Sequence, residues 1–224
     1  MNKFKYIDYI NEVLYNEIKK KNEDCISFFS DFGFKNIIVS IFEENINNNK
    51  LVDIYQQKNE NIDYCLQINN DTLSNIYTKI KKYKKKVQYI SLKSSNEDTI
   101  RKALEIKNIN IIIPSSYNNI AHCNQTIAKI ASKNNTIFCF EIENILNFNS
   151  YNKCKYISGI ISTIDILRKY DVKFMLISNA MSIFDFKDLY SITSISKMIG
   201  FNEKECSKRY RLEIMNLLYE NKDK

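Results

Sequence analysis

Apolar residues along this chain recur as short, near-continuous runs separated by longer stretches with helical spacing. The runs are Phe4–Ile10, Asn36–Phe42, Ile62–Ile68, Val87–Leu92, Ile109–Ile113, Thr136–Ile142 and Lys173–Ile177. Most do not alternate apolar with polar residues, which predicts strands covered on both faces. The stretches Cys25–Phe32, Thr72–Tyr83, Thr99–Lys107, Asn119–Lys133 and Tyr156–Tyr170 predict helices between them. In the last of these, Ile157, Ile160, Ile161, Ile164 and Leu167 follow one another at helical intervals along a single face. Beyond the seventh run the pattern predicts a helix over Lys187–Ile199, capped by Gly200, and a final helix from Glu203 to about Tyr219.

Regular alternation of strand and helix gives either a closed barrel or an open, doubly wound parallel sheet. The chain has three glycines, Gly33, Gly159 and Gly200, too few and too scattered for a dinucleotide fingerprint or a phosphate loop. That count argues against the nucleotide-binding open sheets. Two segments stand outside the alternation. Asn11–Glu23 reads as an irregular, charged insertion, and Glu43–Asn61 as an Asn-rich loop. Without a Pro- or Ser-rich linker or an internal repeat, residues 1–224 read as a single domain.

Composition adds limits more than chemistry. No apolar run approaches the roughly 18 residues that cross a bilayer, and Met1–Tyr6 lacks the apolar core of a secretion signal, so a cytoplasmic protein is expected. The six cysteines are scattered without a Cys-x-x-Cys pair, the pattern of free thiols rather than of disulfides or a zinc site. The net charge of +7 suits a polyanionic partner. The wealth of Ile, Asn, Lys and Tyr also fits an AT-rich genome, so part of this charge follows from codon usage.

His122 is the only imidazole, which argues against a multi-metal site built on several histidines. At the start of a helix it can bond a nearby backbone group or face RNA, and both readings stand. Residues 79–86 hold six lysines in eight positions, either a solvated loop or a phosphate-contacting patch. Asp8, Asp63, Glu141 and Glu143 lie near strand ends and keep open a metal-dependent phosphoesterase as the alternative reading. A structural module without RNA affinity is a further one.

Three motifs stand out in order. Arg101, Ala103 and Glu105 form an Arg-x-Ala-x-Glu helix ahead of a strand stopped by Pro114, and His122 leads a helix carrying Ala128-Lys129-Ile130-Ala131. Asn152-Lys153-Cys154 follows. Last come Ser178-Asn179-Ala180, then Lys187, and the helix closed by Gly200. In order and spacing, over about residues 85–205, these resemble ribonuclease P protein component 3, the archaeal and eukaryotic subunit family. Lys187 stands at the family's usual arginine, which keeps the charge but loses the planar fork, and the proline expected nearby is absent.

The resemblance implies an α/β fold, an incomplete or distorted TIM-type barrel of about seven parallel strands, akin to the polymerase-and-histidinol-phosphatase barrels. It implies a non-catalytic subunit of an endoribonuclease that removes 5′ leaders from precursor tRNA. The hydrolysis would be done by the RNA with RNA-bound Mg²⁺, and this chain would hold no cofactor. The implied partners are ribonuclease P RNA, precursor tRNA indirectly, and other protein subunits, one small subunit in particular. Candidates for facing RNA are Arg101, His122, Lys133, Lys153, Ser178, Asn179 and Lys187. Phe184 and Phe186, with Leu189 and Tyr190 close by, are too many apolar residues for one helical stripe to bury, and are the candidates for a partner surface.

Overall fold

The computed structural model describes residues 7–21, 24–42, 61–69, 72–115 and 123–220. Seven parallel strands form one sheet in sequence order. They are β1 (Ile7–Asn11), β2 (Asn36–Phe42), β3 (Ile62–Asn69), β4 (Tyr89–Ser94), β5 (Ile111–Pro114), β6 (Ile137–Glu141) and β7 (Phe174–Ile177). The sheet curls until its edges meet. The Asn179 amide donates to the Tyr9 carbonyl at 2.9 Å and the Asn11 amide to the Ala180 carbonyl at 3.3 Å, so the chain just beyond β7 closes on β1. The expected TIM-like α/β barrel of seven parallel strands is what forms.

Helices fill the connections: α1 (Glu12–Lys20), α2 (Cys25–Asp31), α3 (Leu73–Tyr83), α4 (Glu97–Glu105), α5 (Gln125–Asn134), α6 (Ile142–Asn147), α7 (Ser150–Lys169), α8 (Leu189–Met198) and α9 (Lys208–Glu220). Many of them start on an Asx side chain. Asn11, Asp24, Asn96, Asn124, Asn149 and Asp188 each accept a hydrogen bond from a backbone amide in the first turn of the helix they open, satisfying donors the helix leaves unpaired. The asparagines that give the chain its biased composition thus do local structural work.

The core has two layers. Outside the sheet, residues such as Leu66, Leu92, Phe138 and Phe140 pack against the inner stripes of the helices. Inside the barrel, Ile7, Tyr9, Ile38, Cys65, Tyr89 and Ile111 meet others of the inward parity, in the alternation expected of strand side chains. The interior is filled, with a residual space of only about 10 Å³. Helix α9 closes the end of the barrel where the strands begin, burying Ile214, Met215 and Leu218 against the interior set. The Phe174 amide donates to the Tyr210 hydroxyl at 3.1 Å and Asn36 Nδ2 to the Tyr219 hydroxyl at 2.9 Å.

Several sequence expectations need correction. Glu12–Lys20, expected within an irregular insertion, is helix α1, burying Leu14, Tyr15 and Ile18 on one stripe. The helix expected over Thr99–Lys107 runs from Glu97 to Glu105, and Lys107 turns the chain beyond it in the left-handed region at φ 61°. Helix α7 starts at Ser150, six residues before the expected Tyr156, because Asn149 caps it there. Most of the Glu43–Asn61 segment lies outside the described residues, as do the first residues of the expected strand Phe4–Ile10 and of the expected helix Asn119–Lys133.

Gly33 turns the chain between α2 and β2 at φ +91°, and a Cβ there would come within 3.1 Å of Leu189 Cβ. Left-handed backbone strains an L residue, and here the neighbour cannot move freely, because the Leu189 amide donates to the Phe32 carbonyl at 3.0 Å. Gly33→Ala is expected to lower the free energy of unfolding by about 1–2 kcal/mol, read as a lower urea midpoint with an unchanged slope.

Candidate functional site

Barrels of this kind carry their chemistry where the strands end, on the loops that follow them. At that end Glu141 closes β6 and is fully buried. Lys93, from β4, sets its ammonium 2.7 Å from Glu141 Oε1. Asn179 Nδ2 donates to the same oxygen at 2.6 Å, and Asn144 Nδ2 to Oε2 at 2.8 Å. The Glu141 amide donates to the Tyr156 hydroxyl at 3.0 Å. A charge buried with this many partners is stable in place, whereas removing Lys93 would leave it uncompensated. Below, the Tyr9 hydroxyl donates to Gln67 Oε1 at 2.8 Å and lies 2.9 Å from Ser91 Oγ. Gln67 Nε2 passes the chain on to Asn69 Oδ1 at 2.8 Å.

The second feature is the seam. Asp8 is fully buried between β1 and the end of β7. Its Oδ1 accepts from the amides of Tyr9 at 2.8 Å and Ser178 at 3.0 Å, and its Oδ2 accepts from the Ser178 hydroxyl. Burial pushes the Asp8 carboxyl up to about 6, against the opposing effect of the Ser178 bonds and, more weakly, of Arg211. Burial, and then the charge of Glu141, also raises Glu143, while Lys93 opposes.

The four strand-end carboxylates therefore do not converge. Asp8 holds the seam, Glu141 is ringed by Lys93 and two asparagines, and Glu143 lies on α6. Asp63 accepts from the Tyr89 hydroxyl at 3.3 Å near the opposite end of the barrel. Among the described residues no three His, Cys, Asp or Glu side chains group so as to hold a metal. The six cysteines are free; burial pushes Cys65 and Cys123 up to about 12, away from thiolate chemistry.

The residues expected to face RNA are dispersed. Ser178 and Asn179 are 1% and 3% exposed: their side chains are spent on Asp8 and Glu141, and neither offers a surface contact. Arg101 lies on the outer face of α4, bound to Glu105 at 2.8 Å and near Asp98 at 3.7 Å. Lys133 is exposed in the last turn of α5, at the end where strands begin, and Lys153 is in the first turn of α7, at the end where strands stop. Lys187 donates to the Phe184 carbonyl at 2.9 Å. The lysines of 79–86 run from α3 into the turn before β4, far along the barrel from Glu141. His122 lies outside the described residues.

The aromatic pair splits. Phe184 is 90% exposed and Phe186 is 4% exposed. Phe186 stacks against Phe28, Phe29, Phe32 and Phe34, with ring centroids 5.1–6.2 Å apart, so it is core and not partner surface. Lys93 escaped the sequence reading, although it carries a signal: a charge inside the run Tyr89-Ile-Ser-Leu-Lys-Ser, where the neighbours are buried.

No protein-family model matches the chain. Ribonuclease P protein component 3 of Methanosarcina barkeri is 26% identical over 140 residues, 62% of this chain and 59% of that protein. The protein of the same name from Methanosarcina acetivorans is 22% identical over 183 residues, 82% of this chain and 76% of that one. The first match thus spans less than two thirds of its relative's length. A chain in a cryo-EM structure of archaeal ribonuclease P with mature tRNA has the same fold, with a TM-score of 0.75 and 14% identity, over 97% of this chain and 90% of that one. The resemblance to the component 3 family read from the ordered motifs is borne out by these relatives.

Two predictions follow from the geometry. The folded Asp8 carboxyl keeps its proton up to about pH 6, whereas the unfolded one releases it near 3.8. Between these values the folded state binds more protons. Stability is therefore lower above pH 6 and rises as pH falls toward 4, by up to about 3 kcal/mol from this group. Asp8→Asn keeps an acceptor for the amides and is expected to flatten that part of the stability profile measured by urea unfolding between pH 4 and 8. Separately, Phe186→Ala is expected to cost about 3–5 kcal/mol while Phe184→Ala stays within about 0.5 kcal/mol, checked by the same unfolding titration.

Proposed function

We propose that this chain is a non-catalytic protein subunit of ribonuclease P, the endonuclease that removes 5′ leaders from precursor tRNA. The observation that carries this reading is the barrel mouth. A fold shared over 97% of this chain with a chain of archaeal ribonuclease P has the strand-end carboxylates Asp8 and Glu141 bound to its own Ser178, Lys93, Asn144 and Asn179. An acid engaged in this way is a structural strut, poorly placed for metal-assisted hydrolysis. In this proposal the RNA subunit performs the cleavage with Mg²⁺ that it holds itself, and the chain works in the cytoplasm. Among the described residues no helix is long and apolar enough to cross a membrane.

The surface cations, Lys133 exposed and Arg101, Lys153 and Lys187 half-buried, are suited to phosphate contacts that fix position without reading sequence. Lys153 and Lys187 lie toward the end where the strands stop, and Arg101 and Lys133 lie on neighbouring outer helices. Phe184, with Met181 46% exposed beside it in the same loop, has the exposed apolar character of an anchor for a small protein subunit.

The test is reconstitution. Precursor tRNA with this chain alone, in Mg²⁺ or Mn²⁺, is expected to stay intact. Adding this chain to the ribonuclease P RNA and its other protein subunits is expected to increase leader removal at limiting Mg²⁺. Specific cleavage by the isolated chain that persists through repurification contradicts the proposal. Replacing Lys153 and Lys187 with Ala is expected to weaken RNA binding and to flatten its salt dependence, with the barrel's unfolding unchanged.

A further inference from the structure

A second surface lies where α8 and α9 meet α2. A cavity of about 490 Å³ opens between the end of α2 and the first turns of α8 and α9. This is within the size range of small-molecule sites. Phe32 and Leu189 give it an apolar wall, and Tyr190, 83% exposed, stands at its edge. Basic side chains line it as well: Lys208 is exposed, Arg211 is buried at 5% exposure, and the first turn of α9 contains no acid. Lys208 and Arg211 take part in interactions within the chain, so what they lend the cavity is fixed positive charge. Of the acids at the rim, Asp188 is engaged as the cap of α8, accepting from the Ser191 amide at 2.7 Å and from its hydroxyl at 3.1 Å. Asp31 is the last residue of α2.

An apolar wall with an exposed ring and an exposed lysine in one cavity matches one kind of occupant. We infer that this cavity takes an unpaired nucleotide of single-stranded RNA, with its base against Tyr190 and Phe32 and its phosphate toward the exposed Lys208, in the field of the buried Arg211. Stacking on an exposed ring tolerates any base, and the cations answer the phosphate by charge alone. Paired bases cannot enter, because their faces are already stacked in the duplex. The inference rests on the RNA-binding reading above and specifies which part of an RNA this face receives.

The experiment measures fluorescence anisotropy of the full chain with three probes: a labelled ten-residue oligouridine, an RNA duplex of equal length, and ribonuclease P RNA. The wild type is expected to bind the oligouridine at least tenfold more tightly than the duplex. Tyr190→Ala is expected to weaken oligouridine binding by about 5- to 100-fold, leaving duplex binding unchanged, and Tyr190→Phe to restore it. Lys208→Ala is expected to weaken oligouridine binding and to reduce its salt slope by about 0.7 for one lost phosphate contact. Equal oligouridine affinity in wild type and Tyr190→Ala overturns the inference, as does duplex binding as tight as oligouridine binding. If the wild type binds ribonuclease P RNA while Tyr190→Ala changes nothing, the groove assignment fails and the subunit reading stands. If it binds oligouridine in the Tyr190-dependent way but not ribonuclease P RNA, the groove assignment stands and the subunit reading fails.

Discussion

Closing a barrel with seven strands requires that the first and last strands meet, and in this chain the meeting point is a buried carboxylate. A sheet edge carries unpaired amides and carbonyls that must find partners once covered. At the seam the Asp8 side chain takes up the Ser178 amide and hydroxyl, while two backbone bonds join residues 179 and 180 to β1. The arrangement carries a cost, since an ionised carboxylate loses its hydration there, and the upward displacement of the Asp8 carboxyl expresses that cost. It also dictates what comes next. With Ser178 fixed, Asn179 turns into the left-handed region at φ 43°, and its side-chain Nδ2 donates to Glu141. Glu141 in turn holds Lys93. Strands β1, β7, β6 and β4 are thereby tied together by side chains at the end where such barrels place their reactive groups.

The opposite end is closed by different means. Helix α9 lays apolar residues across the barrel floor, and Arg168 fastens the approach to it, with Nε and Nη2 bound to the Glu205 carboxylate at 2.7 and 2.6 Å and Nη2 also donating to the Gly200 carbonyl. A bidentate pair of this kind fixes geometry as well as charge. With its mouth occupied by internal bonds and its floor plugged, the barrel offers its outer surface for recognition. Among the described residues that surface carries cations, exposed aromatics and a groove, which suit the proposed role of positioning a partner macromolecule.

The strands were legible in the sequence because parallel strands buried on both faces leave continuous apolar runs, and each of the seven runs corresponds to a strand. Helix α1 was obscured because its exposed face carries Glu17, Lys19 and Lys20, although the Asn11 cap and the Leu14, Tyr15, Ile18 stripe were there to be read. The candidate site was less accessible. Ser178 and Asn179 were marked as residues of interest, but their role lies in contacts to Asp8 and Glu141, 170 and 38 positions away in the chain, and no local pattern encodes such pairings. Phe184 and Phe186 show the same limit at short range: two positions apart in a loop, one is exposed and the other sits in a ring of four phenylalanines. Loop residues have no periodicity from which inside and outside could be told.

The central claim is that a barrel with internally bound carboxylates serves a catalytic RNA rather than performing the cleavage itself. The most direct measurement is to recover this protein, tagged, from the cells that make it and to sequence the RNA that accompanies it through a high-salt wash. The account predicts enrichment of one structured RNA that, with its protein subunits restored, removes 5′ leaders from precursor tRNA. Recovery of the protein free of any such RNA, or with cleavage that persists after complete RNA digestion, would contradict it.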